Sequence, residues 1–506
     1  MPRRDPDAVV IGSGPNGLVA AATLAKRGLS VLVVEANPRR PGGALGSEEA
    51  TLPGFVHDVG ASFFPFARWS PAFRHLELER HVELAHAPIE SCHPAPDGSV
   101  ACITRDPARE HAFGSARDHE AWRRLAAFHA AIEPRLYPAL LEPFPSFGAL
   151  LRLGLPALLR LGALFSRSGR SLARSLFETE AARRVVPGLA LHADVGPDDP
   201  FGAPVGYVLA LGATTGGYPV AVGGAQRFSD ALVRVLESYG GRVRLGARVT
   251  NVLVERGAAI GVRLAGGDEI RARMVLADTG APSLLLDLLP EAEVPGRLRA
   301  AMRRFQHGFG TFKVDWALGG EVPWRAEEAA RSAVVHAGDS LDDLSRFTRE
   351  VRAGRAPEHP YLVIGQQSLC DPSRAPEGQA TLWAYTHVPS TLPGGWEALR
   401  ESYADTIEAR IEGLAPGFRS RIRARRVVTP DDLFRMDENL VGGDIGGGSA
   451  AWNKQLLFRP AFPWFRYRMP VRGVYLCSSY AHPGGGVHGM CGYNAARIAA
   501  RDAGLA

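Results

Sequence analysis

Gly12, Gly14 and Gly17 follow the apolar run Ala8–Ile11 at the i, i+2, i+5 spacing of a diphosphate-binding turn, and Glu35 closes the next apolar run, "VLVVE". Each glycine has its own task in such a turn. Gly12 permits the tight bend, Gly14 lets backbone approach a pyrophosphate, and Gly17 lets the following helix lie close to the strand. The N-terminus of that helix presents free N–H groups and a favourable dipole to the phosphates. Glu35, roughly 20 residues on, is placed to bond a ribose 2′-hydroxyl, and its charge disfavours the 2′-phosphate of NADP. A second group lies near the other end, in "SSYAHPGGGVHGMCGYNAAR", where His482, Gly484 to Gly486, His488, Gly489 and Cys491 crowd one loop. Lys313, in "GFGTFKVDWAL", is one of three lysines (with Lys26 and Lys454) in an arginine-rich chain, which suggests a place where a compact ammonium is needed.

The elements that must hold these residues follow from periodicity. "DAVVIGSGPNGLVAAATLAKRGLSVLVVEA" reads as strand, glycine turn, helix and strand, one βαβ unit. After Glu35 the run "NPRRPGGALGSEEATLPGFVHDVGASFF" sets Gly42 and Gly43 in a short loop and stays polar and turn-rich to Asp58 and Gly60. An NAD-binding unit would proceed to another regular helix and strand, whereas this loop suits a longer ligand, so FAD is the expected cofactor. A glycine turn, helix and alternating strands return at Tyr218 to Leu264, with "RARMVLADTGA" as a further buried strand. "RGVYLCSS", the glycine loop and "YNAARIAARDAG" close the chain as strand, loop and helix. The fold expected is α/β. A Rossmann-like FAD-binding domain comes from segments 1–75, 216–285 and 426–506, and an α+β substrate domain from 76–215, helical and with a candidate membrane-facing stretch, and 286–425.

Composition excludes several classes. With 506 residues, 46% hydrophobic, the chain has length for a sizeable core, and a net charge of +5 from scattered arginines gives no nucleic-acid surface. The five cysteines form no C-x-x-C pair, which argues against a disulfide framework, a zinc knuckle or a redox dithiol, and fits a reducing cytoplasm. Arg3 and Arg4 precede no apolar stretch of signal-peptide type, so a cytoplasmic protein is expected. No metal site is expected: His482, His488 and Cys491 lack further ligands.

The order of "IGSGPNGLVAAATLAKRG", "EANPRRPGGALGSEE", "GGAQRFSDAL" and "YLCSSYAHPGGGVHGMCGYNAA" resembles the phytoene desaturase-like flavoproteins, within the wider amine-oxidase and glutathione-reductase type FAD fold. It is similar to the carotenoid desaturases and to pyridine nucleotide-disulphide oxidoreductase domain-containing proteins that lack a redox disulfide. The resemblance implies that the C-terminal loop passes beneath the flavin, with Gly484 to Gly486 and Gly489 against the ribityl chain and ring. The helix beginning there would point at the pyrimidine end, where negative charge gathers on reduction. Val249 would touch the adenine through its backbone. The cofactor residues implied are Gly12, Gly14, Pro15, Asn16, Gly17, Glu35, Ala36, Gly42, Gly43, Ala44, Val249, Gly485, Gly486, Val487, Gly489 and Met490. "CSS", Cys477 to Ser479, departs from the acidic residue many relatives bond to ribitol.

The same resemblance places Lys313 on a strand similar to the one carrying a flavin-facing lysine in amine oxidases, the alternative being an ordinary strand lysine at the surface. His488 is the other catalytic candidate, as a proton carrier or flavin contact, and His482 a weaker one. Cys491 reads as a buried small side chain, and His57 and Asp58 as turn and capping residues. The run Leu150 to Phe177, leucine-rich with five arginines and Pro156, is no membrane span; it is either an interfacial helix or packing around a substrate tunnel. The activity expected is two-electron dehydrogenation of an isoprenoid, carotenoid-like or secondary-metabolite molecule, with oxygen or a quinone taking the electrons. An amine or imine-forming oxidase and a non-catalytic FAD-binding scaffold are the alternatives.

Overall fold

β1 (Ala8–Ile11) is apolar at every position because it runs through the centre of a five-stranded parallel sheet. Strands buried on both faces carry such continuous apolar runs. β2 (Val31–Val34) lies on one side of β1 and Met274–Ala277 on the other. Arg242–Arg244 extends the sheet beyond β2, and Val474–Leu476 extends it beyond Met274–Ala277. The central strand is thus flanked by chain from far along the sequence. This computed structural model describes residues 5–108 and 111–505; Arg3 and Arg4 lie outside the described residues.

α1 (Pro15–Ala25) follows the glycine turn with proline in its first turn, where no N–H is needed. It packs on the last helix, Met490–Asp502, so closely that a Cβ on Gly492 would lie 1.9 Å from the Asn16 carbonyl oxygen. Small residues are required there by contact, whatever the cofactor does. A three-stranded antiparallel sheet, Val249–Glu255, Ala258–Leu264 and Glu269–Arg271, stands beside the parallel one.

A seven-stranded sheet forms the other half. Its order is Ile422–Val428, Gly310–Leu318, Ala380–Val388, Leu362–Gly365, Ser332–Ala337, Ile89–Pro94 and Val100–Ile103, antiparallel except where Ser332–Ala337 meets Ile89–Pro94. The period of two sorts its faces. Phe312, Val314 and Trp316 pack with Trp396, Tyr403 and Ile407, the last two on the helix Arg400–Leu414. Thr311 and Lys313 point the other way. Helices including Ala116–Leu141 and Ala203–Ala213 cover that second face.

The halves are joined by a buried guanidinium. Arg374 donates to Asp58 Oδ1 (3.0 Å), Asp371 Oδ2 (2.8 Å) and the Ala221 carbonyl (2.9 Å), and neither Arg374 nor Asp58 has any exposure. Asp58 also accepts from Ser47 Oγ and from the Ala225 N–H that precedes the helix Gln226–Ser238. Its work is therefore at a helix terminus and a buried ion pair.

The leucine-rich run is broken by Gly154 and Ser168 into Phe147–Leu151, Leu155–Phe165 and Gly169–Leu176. Leu151 and Leu155 are 74% and 67% exposed, and Phe147 and Leu159 are similarly bare. Among the described residues no helix is long and apolar enough to cross a membrane.

Candidate active site

One cavity of about 1680 Å³ runs from the glycine turn of the parallel sheet to the second face of the seven-stranded sheet. Of the expected cofactor residues, Gly12, Gly14, Pro15, Asn16, Glu35, Ala36, Gly43, Ala44, Val249, Gly485, Gly486 and Val487 line it, as do both catalytic candidates, Lys313 and His488. Gly17, Gly42, Gly489 and Met490 do not. They pack behind the wall: a Cβ on Gly17 would stand 2.4 Å from the Gly12 carbonyl oxygen, and one on Gly489 would stand 2.7 Å from Val19. Gly42 is wedged against Ser229, and the Met490 N–H donates to His488 Nδ1 at 3.0 Å.

The turn fits a dinucleotide on its own geometry. Gly43, at φ +57°, lies over Gly14: a Cβ on it would be 3.7 Å from the Gly14 Cα and 3.0 Å from Asp437 Oδ2. Two glycine loops therefore meet bare backbone to bare backbone beside the N-terminus of α1, which is the clearance a diphosphate needs. Glu35 is held ready for a ribose. Its Oε2 accepts from the Ser13 N–H (2.8 Å) and Oγ (2.6 Å), and its Oε1 from the Asn37 N–H (2.7 Å). At the C-terminal loop, a Cβ on Gly485 would press on Gly446, and Gly486 stands at φ +114° against Phe66. In the "CSS" segment, Ser478 Oγ donates to the Thr279 carbonyl (2.6 Å), and Ser478 and Ser479 both line the cavity.

Lys313 is 5% exposed and does not reach solvent. Its Nζ donates to the Asp58 carbonyl at 3.0 Å and pairs with Asp315. His488 is fixed as well: its carbonyl accepts from Ser70 Oγ (2.6 Å) while its Nδ1 takes the Met490 N–H, which leaves the ring proton on Nε2. Burial pushes the His488 and His482 imidazoles down to about 4, so both are neutral at pH 7. The Cys491 thiol is pushed by burial up to about 12 and stays a thiol. Among the described residues no group of three or more histidine, cysteine or acidic side chains is placed to hold a metal.

Sequence reasoning missed part of the wall. Tyr385 lies opposite Lys313, and Trp383 and His387 lie two residues to either side on the same strand. All three line the cavity, Trp383 stacked on Tyr385 with ring centroids 5.8 Å apart. The alternation in "TLWAYTHV" is the signal that would have found them. Tyr385 Oη meets His192 Nδ1 at 3.3 Å, and His192 Nε2 lies 2.7 Å from His336 Nε2. Burial drives His192 down to about 3 and lowers His336 as well, so this is a chain of neutral imidazoles behind the wall. Asp278 and Asp437, which reach the glycine cradle, were also missed.

A parallel sheet bearing a dinucleotide cradle, with one cavity shared with a seven-stranded mixed sheet, is the architecture of an FAD-dependent oxidoreductase. Residues 10–76 match the family model described as an NAD(P)-binding Rossmann-like domain. The chain belongs to the family of pyridine nucleotide-disulfide oxidoreductase domain-containing protein 2, being 30% identical to the Rattus norvegicus protein over 98% of this chain and 93% of that one. It is also 27% identical to a neurosporene-forming phytoene desaturase of Cereibacter sphaeroides, over 97% of this chain and 94% of the desaturase. Among solved structures, putrescine oxidase bound to putrescine has the same fold, with a TM-score of 0.62, 18% identity and 99% of both chains covered.

Proposed function

We propose that this oxidoreductase dehydrogenates an elongated, mainly apolar molecule of isoprenoid type, turning a saturated carbon–carbon bond into a double bond. The carrying observation is the cavity. At about 1680 Å³ it exceeds the roughly 300–1,000 Å³ of a pocket for one small ligand. It has room for a cofactor at the glycine cradle and a substrate beyond it, where Leu140, Phe144, Leu150, Val205 and Leu209 make an apolar wall. FAD, held by the Gly12–Gly17 turn, Glu35, Gly43, Val249 and the Gly485–Val487 loop, supplies the two-electron acceptor. Lys313 would hold, through its ammonium Nζ, a water placed to take the substrate proton, and Tyr385 would fix a polar substituent of the substrate through its hydroxyl. Oxygen or a quinone would take the electrons from the reduced protein.

The exposed Phe147, Leu151, Leu155 and Leu159 continue from Leu150 in the cavity wall onto the surface, beside Arg152 and Arg160. This apolar and basic rim suits peripheral contact with a lipid surface, through which an apolar substrate would enter. A second reading, amine oxidation, is favoured by one feature: the stacked Trp383 and Tyr385 present an aromatic face that would attract an ammonium group.

The test is anaerobic. The purified protein is mixed with carotenoid precursors and with cyclic amines while its visible flavin spectrum is followed. Bleaching by a carotenoid precursor is expected; bleaching by amines alone would overturn the desaturase reading in favour of the second.

A further inference from the structure

Two carboxyl groups border the glycine cradle. Asp278 follows the strand Met274–Ala277 next to β1, and its Oδ2 accepts the Gly17 N–H at 2.9 Å. The same oxygen would be 2.6 Å from a Cβ on Gly14 and 2.8 Å from one on Gly17. Asp437 approaches from the other side, with Oδ2 3.0 Å from the position of a Cβ on Gly43. Both aspartates line the cavity; Asp278 is buried and Asp437 half-buried. Gly14 and Gly43 are the two backbones that meet at the cradle. A pair of carboxylates there would repel the two negative charges of a diphosphate at contact range.

We propose that Asp278 and Asp437 hold FAD as neutral carboxylic acids, donating O–H hydrogen bonds toward its diphosphate, so that the protein takes up protons from solvent as it binds its cofactor. The proposal rests on FAD as the cofactor and adds residues to its site. The surroundings favour the neutral form. Asp278 faces Asp437, Glu35, and the thiols of Cys477 and Cys491, with only backbone N–H groups of α1 as donors. Asp437 faces Glu35 and Glu438, the Asn439 N–H, and Arg40 as the cation. Arg248 is committed to Glu438 by two hydrogen bonds of 2.7 and 2.9 Å. Burial above all, opposed by the Gly17 and Asn439 N–H bonds and reinforced by these acids, pushes Asp278 up to about 8 and raises Asp437 in the same direction. An incoming diphosphate raises both further, which is the same statement as proton uptake.

The test uses the holoprotein, diluted so that part of the FAD is released, with free flavin read by fluorescence from about pH 6 to about pH 9.5. The dissociation constant should rise with pH, by about tenfold per pH unit above about pH 8, where Asp278 in the cofactor-free protein loses its proton. Asp278→Asn keeps a donor and removes the titration. Whatever its affinity at the acid end, it should lose about tenfold per pH unit of the alkaline slope. Asp437→Asn is the independent check should the first variant fold poorly, and should also reduce the slope. A dissociation constant independent of pH in the wild type, or a slope unchanged in both variants, would overturn the proposal. A wild-type protein that binds no FAD at the acid end would instead remove the cofactor assignment beneath it.

Discussion

Lys313 and Tyr385 are register partners on two adjacent strands of the seven-stranded sheet, and both side chains face the cavity. Directly opposite residues on one face of an antiparallel pair stand about 4.5–5.5 Å apart at Cβ. An ammonium and a phenol are thereby presented side by side to whatever lies between the sheet and the glycine loops. Replacing Lys313 by Met should leave FAD content unchanged and slow anaerobic flavin reduction by substrate about 100-fold or more. Stopped-flow bleaching of the flavin measures it, and an unchanged rate would return Lys313 to a purely structural role through Asp315 and the Asp58 carbonyl.

Arg374→Ala should destabilise the fold by about 3–5 kcal/mol, because it leaves Asp58 and Asp371 without their cation in a site closed to water. Urea unfolding of the single variant, and of the double variant with Asp58→Ala, separates the two terms. The double variant should recover part of the loss.

Acid should weaken the protein below the ordinary range of histidine. His57, His482 and His488 are held at about 4 and His192 at about 3, all by burial. The unfolded chain therefore binds protons between pH 6.5 and these values while the folded one does not, so stability is complete above about pH 6.5 and is lost as pH falls toward 4. Each pKa unit of depression is worth about 1.4 kcal/mol. Melting temperature followed across that window should fall steeply; a flat profile would contradict the burial of these rings.

Gly43→Ala should abolish FAD retention without preventing folding. The residue stands at φ +57°, and its new methyl would enter the space between Gly14 and Asp437. Flavin absorbance of the purified variant reads the loss directly.

Leu151→Ser with Leu155→Ser and Leu159→Ser should leave the melting temperature within a few degrees, since these side chains are exposed, and should lower sedimentation with anionic vesicles several-fold. Equal sedimentation of variant and wild type would count against lipid contact at this rim.

The cradle was legible because everything it needs lies within one local pattern. Gly12, Gly14, Gly17 and Glu35 fall within a single strand-turn-helix-strand run, and turn geometry is a property of neighbouring residues. Asp278 was not legible, although its strand was. Its carboxyl reaches Gly17 only because Met274–Ala277 pairs with β1, and strand order is set by tertiary packing. Tyr385 was hidden for the same reason, since its meaning depends on the register with Lys313. The run Leu150–Phe177 showed an interruption through Pro156 and its charges, while the exposure of Leu151 and Leu155 depends on what the rest of the chain leaves uncovered. Arg374, within a stretch that reads as a plain turn, carries a buried ion pair between the two halves.

The order of strands in the parallel sheet bears on how the chain is made. A ribosome delivers β1 and β2 first, but β1 stays an open edge until Met274–Ala277 emerges, and that strand stays open until Val474–Leu476. An exposed apolar edge invites pairing with other chains. For most of its synthesis the nascent polypeptide therefore carries an unfinished, adhesive sheet, and a premature stop shortly before residue 474 would yield insoluble product where loss of the last few residues would not. Demand for chaperones during translation is the consequence expected of this topology.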